Sequence, residues 1–230
     1  MGFQVAIDGP AGAGKSSVAR GVAQVLQISY LDTGAMYRSV TYLALLQGVQ
    51  ENDIYQLKEL LHQMVTKLNY QVVQGEQHLL FGDLDLTDVI RLPEVTRHVS
   101  MMAANSLVRQ YLVQKQQELA LSWPGIVMDG RDIGTHVLLN ADVKFFLTAS
   151  LEQRAKRRYE EMVSKGFNPS LAELMGDIER RDQMDIERDH SPLRPAQDAI
   201  ILDTSCLTQD EVVEIVVALC RLRMTHGEGR

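Results

Sequence analysis

"GPAGAGKSS", residues Gly9–Ser17, decides how the rest of this chain is read. It satisfies G-x-x-x-x-G-K-[ST], with Gly9 and Gly14 at the framework positions and Lys15 and Ser16 behind them. In such a loop the backbone of Gly9, Pro10, Ala11, Gly12, Ala13, Gly14, Lys15, Ser16 and Ser17 wraps a phosphate chain. The start of the following helix adds the positive end of its dipole. Lys15 is placed for the β- and γ-phosphates and the Ser16 hydroxyl for Mg²⁺. The flanks agree. "QVAID" (Gln4–Asp8) reads as a buried strand directly before the loop. Val18, Val22, Val25 and Leu26 recur at helical spacing after it, which predicts a helix over 15–27. A chance glycine-rich turn has neither flank.

Working outward, short apolar runs alternate with helical patterns. "ISYLD" (Ile28–Asp32), "GIVMD" (Gly125–Asp129), "VKFFLT" (Val143–Thr148) and "AIILD" (Ala199–Asp203) read as further strands, with helices over about 35–47 and 209–224. Strands apolar on both faces and alternating with helices predict a parallel sheet covered on both sides. Residues 51–97 break the pattern. "YQVV" and "HLLF", separated by Gln74–Gln77, predict a small antiparallel unit inserted between the second and third core strands.

Bulk properties narrow the partners. The 230 residues carry a net charge of −7, which argues against a broad nucleic-acid-binding surface. Cys206 and Cys220 have thirteen residues between them and no CxxC neighbour, so neither a disulfide framework nor a zinc site is expected. "MGFQVAIDG" has no basic or long apolar signal region, and no run approaches the roughly 20 residues of a membrane span. The expectation is a cytoplasmic protein without membrane or nucleic-acid partners, and a monomer.

A nucleotide site of this kind serves GTPases, motors and small-molecule kinases. The guanine signature N-K-x-D and the switch signature D-x-x-G occur nowhere in the chain. A motor needs a longer chain or oligomeric machinery. A kinase needs a second, acceptor site. Phosphoryl transfer asks for positive charge and dry, in-line geometry rather than covalent chemistry. Arg38 and Arg131 follow predicted strands, at the strand ends where ligands of open α/β sheets gather. Asp129, ending an apolar strand, is placed to hold Mg²⁺ through water or to cap a turn. Arg154, Arg157 and Arg158 share one helix face, suited either to a polyphosphate or to a solvated surface balanced by glutamates.

"RRDQMDIERD" (Arg180–Asp189) has seven charges in ten residues. Arg181, Asp185 and Arg188 fall on one helix face. Asp185 bracketed by arginines stays ionised and can accept from sugar hydroxyls. The same spacing also suits surface ion pairs of about 0.3–0.5 kcal/mol each. Spacing does not choose between them.

Taken together, "GPAGAGKSS", "LDTGAMYR", "MDGRDIGT" and "ERRDQMDIERDHSPL" resemble bacterial cytidylate kinases, in this order and over nearly the whole chain. The resemblance implies an α/β three-layer P-loop NTPase fold with a central parallel sheet, an inserted antiparallel subdomain that binds the nucleoside monophosphate, and a helical lid. It divides the chain into core (1–33), monophosphate-binding segment (34–98), core (99–153), lid (154–190) and core with C-terminal helix and tail (191–230). It implies transfer of the γ-phosphate of ATP, with Mg²⁺, to CMP or dCMP. Kinases of UMP, AMP or shikimate and a non-catalytic nucleotide switch are the alternatives. Carried over by position, Thr33, Ser100, Arg109 and Asp132 match contacts to the base. Arg38 and Arg131 match phosphate-gripping arginines, Arg181 and Asp185 ribose contacts, and Arg188 an acceptor-side arginine. Arg157 and Arg158 match lid arginines. The catalytic set implied is Lys15, Arg131, Arg158 and Arg188, with Ser16 and Asp129 toward Mg²⁺.

Overall fold

The computed structural model describes residues 2–73, 76–164 and 166–227. The chain divides into two compact units, Met1–Asp32 with Gln117–Arg230, and Thr33–Gln116.

The first unit is built on a five-stranded parallel sheet. Its strands are β1 (Phe3–Asp8), β2 (Ser29–Asp32), β6 (Gly125–Gly130), β7 (Val143–Thr148) and β8 (Ile200–Asp203), in the order β2-β6-β1-β7-β8. The strand that enters the glycine loop is central, with Asp8 in register with Gly130 on one side and Phe146 on the other. Val5, Val127, Phe145 and Leu147 point to one face. There they meet Val18 and Val22 of helix α1 (Lys15–Leu26) and Val212 and Val216 of helix α8 (Gln209–Gly227). Ala6 and Met128, on the other face, are also fully buried. Burying each such Val, Leu or Met contributes about 1.5–3 kcal/mol. Because both faces are apolar, the polar chemistry is confined to the strand ends.

The second unit contains helices α2 (Thr33–Gln47), α3 (Ile54–Lys67), α4 (Pro93–Ala104) and α5 (Ser106–Ser122), the last of which runs on past the unit's boundary. It also holds a three-stranded antiparallel sheet of β3 (Leu68–Val73), β4 (Glu76–Phe81) and β5 (Leu84–Asp85). Leu57, Leu60, Leu61 and Met64 form the buried stripe of α3. The strands run to Val73 and Glu76, which face each other in register, so the four-residue connection expected at 74–77 is shorter. Gln74 and Gly75 lie outside the described residues. Helix α2 begins at Thr33, two positions before the expected 35, because β2 passes into it without an intervening turn.

Helices α6 (Leu151–Ser164) and α7 (Leu171–Ile186) complete the first unit. The charged stretch 180–189 is helical only to Ile186, so Arg188 lies past the helix end rather than on its face.

Candidate active site

The phosphate loop leaves the central strand through Gly9, at φ +150°, where a Cβ would stand 2.0 Å from the Leu147 carbonyl oxygen. Only glycine fits there. Lys15 is buried and its Nζ donates to the Pro10 carbonyl at 2.7 Å, bridging the loop it belongs to. Burial and then the nearby Arg131 charge lower its ammonium pKa to about 7, against the pull of Asp129, Asp185 and Asp8. An anion in the cradle reverses that displacement.

Ser16 donates through Oγ to Asp129 Oδ2 at 2.8 Å, and the Tyr30 hydroxyl donates to Asp129 Oδ1 at 2.8 Å. Burial, followed by the like charge of Asp32, raises the Asp129 carboxyl to about 6. A hydroxyl and a carboxylate oxygen side by side are the hard oxygen donors that suit Mg²⁺. Two such groups suit an ion that keeps most of its water. No group of three or more His, Cys, Asp or Glu is placed to form a metal cage among the described residues.

The loop is also held from the helices. Asp182 Oδ1 accepts the Ala11 N–H at 3.1 Å, and Arg154 Nη1 donates to the Ala11 carbonyl at 2.9 Å. Arg154 also pairs with Asp182 and donates through Nε to the Ala149 carbonyl at 3.0 Å. Arg154 therefore does not share an outward polyphosphate face with Arg157 and Arg158; it is buried and turned onto the loop backbone. Arg157 donates to the Thr204 hydroxyl at 3.1 Å, and its Nη1 would lie 3.8 Å from a Cβ at Gly14. Arg158 makes an exposed pair with Glu161 at 2.7 Å, and its charge also bears on Arg181.

The charges of 180–189 sort themselves by direction. Arg180 pairs outward with Asp177, with both side chains more than half exposed (69% and 60%). Asp185 is buried. It accepts from Arg131 Nε at 2.7 Å and pairs with Arg188. Burial opposes its charge, but Arg131, then Arg188, and further Arg181 hold its carboxyl below the ordinary value. The partners that grip it are thus Arg131 and Arg188, one from each side of the chain order, rather than Arg181 and Arg188 as helical spacing suggests. Arg181 acts at longer range. Burial and the neighbouring Arg131 lower its guanidinium, and its enclosed Nε has no hydrogen-bond partner. Such crowding of cations is sustained where an anion is to be received.

The acceptor-matched residues are divided between the units. Arg131, Asp132, Arg181, Asp185 and Arg188 lie in the first, and Thr33, Arg38, Ser100 and Arg109 in the second. Thr33 opens α2 and is buried; Ser100 in α4 and Arg109 in α5 are buried as well. Arg38 Nη1 donates to the Thr96 hydroxyl at 2.9 Å. The Arg109 guanidinium donates to the Ala103 carbonyl at 3.3 Å and lies over the Tyr37 ring, 5.6 Å from its centroid. Asp132, immediately after Arg131, is buried at the C-terminal end of β6.

The sequence profile that describes cytidylate kinases matches residues 5–222. The chain belongs to the cytidylate kinase family. The cytidylate kinase of Bacillus cytotoxicus is 48% identical over 217 residues, covering 94% of this chain and 95% of that protein. That of Bacillus cereus matches with the same figures. Among solved structures, an uncharacterized protein from Eubacterium ventriosum aligns with a TM-score of 0.52 and 12% identity. It covers 96% of this chain and 99% of its own, a likeness of fold alone. Asp8, Tyr30, Asp182 and Thr204 are structural members of the site that sequence reading does not find, and Arg154 is one whose direction it does not give. For Asp8 a signal existed: a carboxylate ends an apolar strand directly before the loop.

Proposed function

We propose that this chain transfers the γ-phosphate of ATP to CMP or dCMP, giving ADP and CDP or dCDP. One observation carries the reading. Strand β6 delivers Asp129, which accepts from Ser16 of the phosphate loop at 2.8 Å, and, two residues on, Arg131, which donates to Asp185 at 2.7 Å. The donor cradle and the arginine cluster are thereby built from one strand end.

In the step itself an oxygen of the acceptor phosphate attacks the γ-phosphorus. A new P–O bond forms, and the bond to the β–γ bridging oxygen breaks, with its electron pair leaving on ADP. The acceptor phosphate is already ionised near neutral pH, so no general base is needed. The loop from Gly9 to Ser17 and Lys15 hold the donor phosphates. Ser16 and Asp129 are the residues that would hold Mg²⁺. When bound, that ion neutralises charge on the β- and γ-phosphates. Arg131 and Arg188, braced by Asp185, bind and orient the acceptor phosphate, the role that the family resemblance also gives to Arg38. Arg158, with Arg157 beside the loop, adds lid charge to the transferring group. Arg181 and Asp185 serve the ribose. Thr33, Ser100, Arg109 and Asp132 serve the base. A carboxylate at 132 accepts from the cytosine N4 amino group, whereas uracil presents an oxygen there.

The test is ADP release from ATP and Mg²⁺ with CMP, dCMP, UMP, AMP and shikimate offered singly. Strong stimulation by CMP and dCMP, weak by UMP and none by the others is expected. Stimulation by another acceptor alone transfers the reading to that kinase. Tight nucleotide binding with no stimulation by any acceptor reduces the protein to a switch.

A further inference from the structure

Asp8 is the last residue of the central strand and 3% exposed. An ionised carboxylate at that depth persists only when its oxygens are fully engaged. Each of them is. Oδ1 accepts the Ile133 N–H at 2.8 Å and Oδ2 the Gly134 N–H at 2.7 Å. These two amides directly follow Arg131 and Asp132. The peptide between them and the next turn is pinned from the other side as well. The Asp132 carbonyl accepts the His136 N–H at 2.9 Å, and the Ile133 carbonyl accepts the Leu138 N–H at 2.7 Å. Both Asp8 oxygens are committed to backbone amides, and through them the carboxylate acts on the segment that directly follows Arg131 and Asp132.

We propose that Asp8 is a positioning residue for acceptor recognition, holding the backbone of Ile133 and Gly134 so that Arg131 and Asp132 are presented in one fixed geometry. The inference rests on the acceptor roles given above to Arg131 and Asp132. Two further observations support it. Gly134 sits so close that a Cβ there would lie 3.4 Å from Asp8 Oδ2 and 3.0 Å from Lys144 Cδ. Burial raises the Asp8 carboxyl and the Gly134 and Ile133 amides pull it back down, so the two hydrogen bonds are what favour its charged form most.

Asp8→Asn keeps the shape but turns an amide NH₂ toward one of the two backbone donors. Loss of one charge-assisted hydrogen bond corresponds to about a tenfold effect. The expected result is a KM for CMP raised about tenfold and a lower CMP-to-UMP ratio of kcat/KM, with KM for ATP within about twofold of wild type. A soluble, ATP-binding variant with unchanged KM for CMP and unchanged ratio overturns the proposal. So does a KM for ATP that rises in step with that for CMP, which would make Asp8 a support of the phosphate loop. If Asp8→Asn does not fold, Gly134→Ala is read instead. Its Cβ would meet Lys144 Cδ at 3.0 Å, so the backbone that the carboxylate holds must give; KM for CMP is expected to rise about threefold, and no change there is equally decisive against. Wild-type enzyme that fails to turn over CMP at all sinks the functional reading first, before either variant is compared.

Discussion

Asp185→Asn separates a built cluster from a decorative one. The substitution keeps the side chain's outline and removes its charge. In the native protein the Asp185 side chain is 3% exposed, that of Arg188 5% and that of Arg131 21%. Exposed ion pairs contribute about 0–1 kcal/mol, whereas breaking a buried one costs about 3–5 kcal/mol, because the surviving charges stay buried without their partner. The depressed Asp185 carboxyl says that attraction to Arg131, Arg188 and Arg181 outweighs desolvation. The variant should therefore lose about 3–5 kcal/mol, or roughly 6–20 °C in Tm for a chain of this size. Urea unfolding at pH 7 measures it, with Arg158→Ala, which breaks the exposed Glu161 pair and lifts a like charge from Arg181, expected within about 1 kcal/mol of wild type. The pH dependence has a definite sign. A folded-state value below the ordinary one gives stability that is complete above about pH 4 and lost as pH falls through the folded value. The gap between wild type and variant should close on acidification below about pH 4. A gap under about 1 kcal/mol at pH 7, or one that stays constant down to pH 3, would refute the reasoning.

Three further outcomes are expected. Gly12→Ala should weaken ATP binding at least about tenfold in a fluorescence titration, since Gly12 sits at φ +77° and a Cβ would come 3.0 Å from Arg154 Cβ; unchanged affinity would show the loop yields freely. Asp129, raised to about 6, takes up its proton as pH falls through that value, so the Mg²⁺ concentration for half-maximal turnover should rise by up to about tenfold per unit below pH 6. Asp129→Asn should lack that part of the slope, and identical slopes would remove Asp129 from the ion's site. Iodoacetamide at pH 8 should modify one thiol per native chain, because Cys206 is exposed while Cys220 is buried with its pKa pushed up to about 12; mass spectrometry finding both labelled would contradict the packing of α8.

The parts of this fold that could be read from sequence are those whose signal is local. "VKFFLT" forms β7 over Val143–Thr148 as its apolar, β-branched run requires. The glycine loop announces itself because its backbone needs are met by residue type at adjacent positions. Where a partner lies far along the chain, spacing was silent. Ala11 and Asp182 are 171 positions apart, so nothing in "RRDQMDIERD" tells that its third residue holds the loop. Helical periodicity grouped Arg154 with Arg157 and Arg158 but could not say that the first is turned onto backbone carbonyls. It also names only one of the two arginines that grip Asp185, Arg188, since Arg131 arrives from the end of another strand. Asp8 goes unread for a related reason: a carboxylate beside a glycine loop draws attention toward the ligand, whereas its partners are amides that follow the neighbouring strand β6, 125 and 126 positions along the chain.

The Arg154–Asp182 pair has a mechanical meaning. Through Ala11 it fastens the phosphate loop to both α6 and α7, donating to the loop's carbonyl and accepting from its amide. Loop and helices are thereby springs in series. A displacement of α7 must either give up those bonds or drag the loop backbone with it, so the stiffness of the phosphate cradle is set partly by two side chains that never face a phosphate.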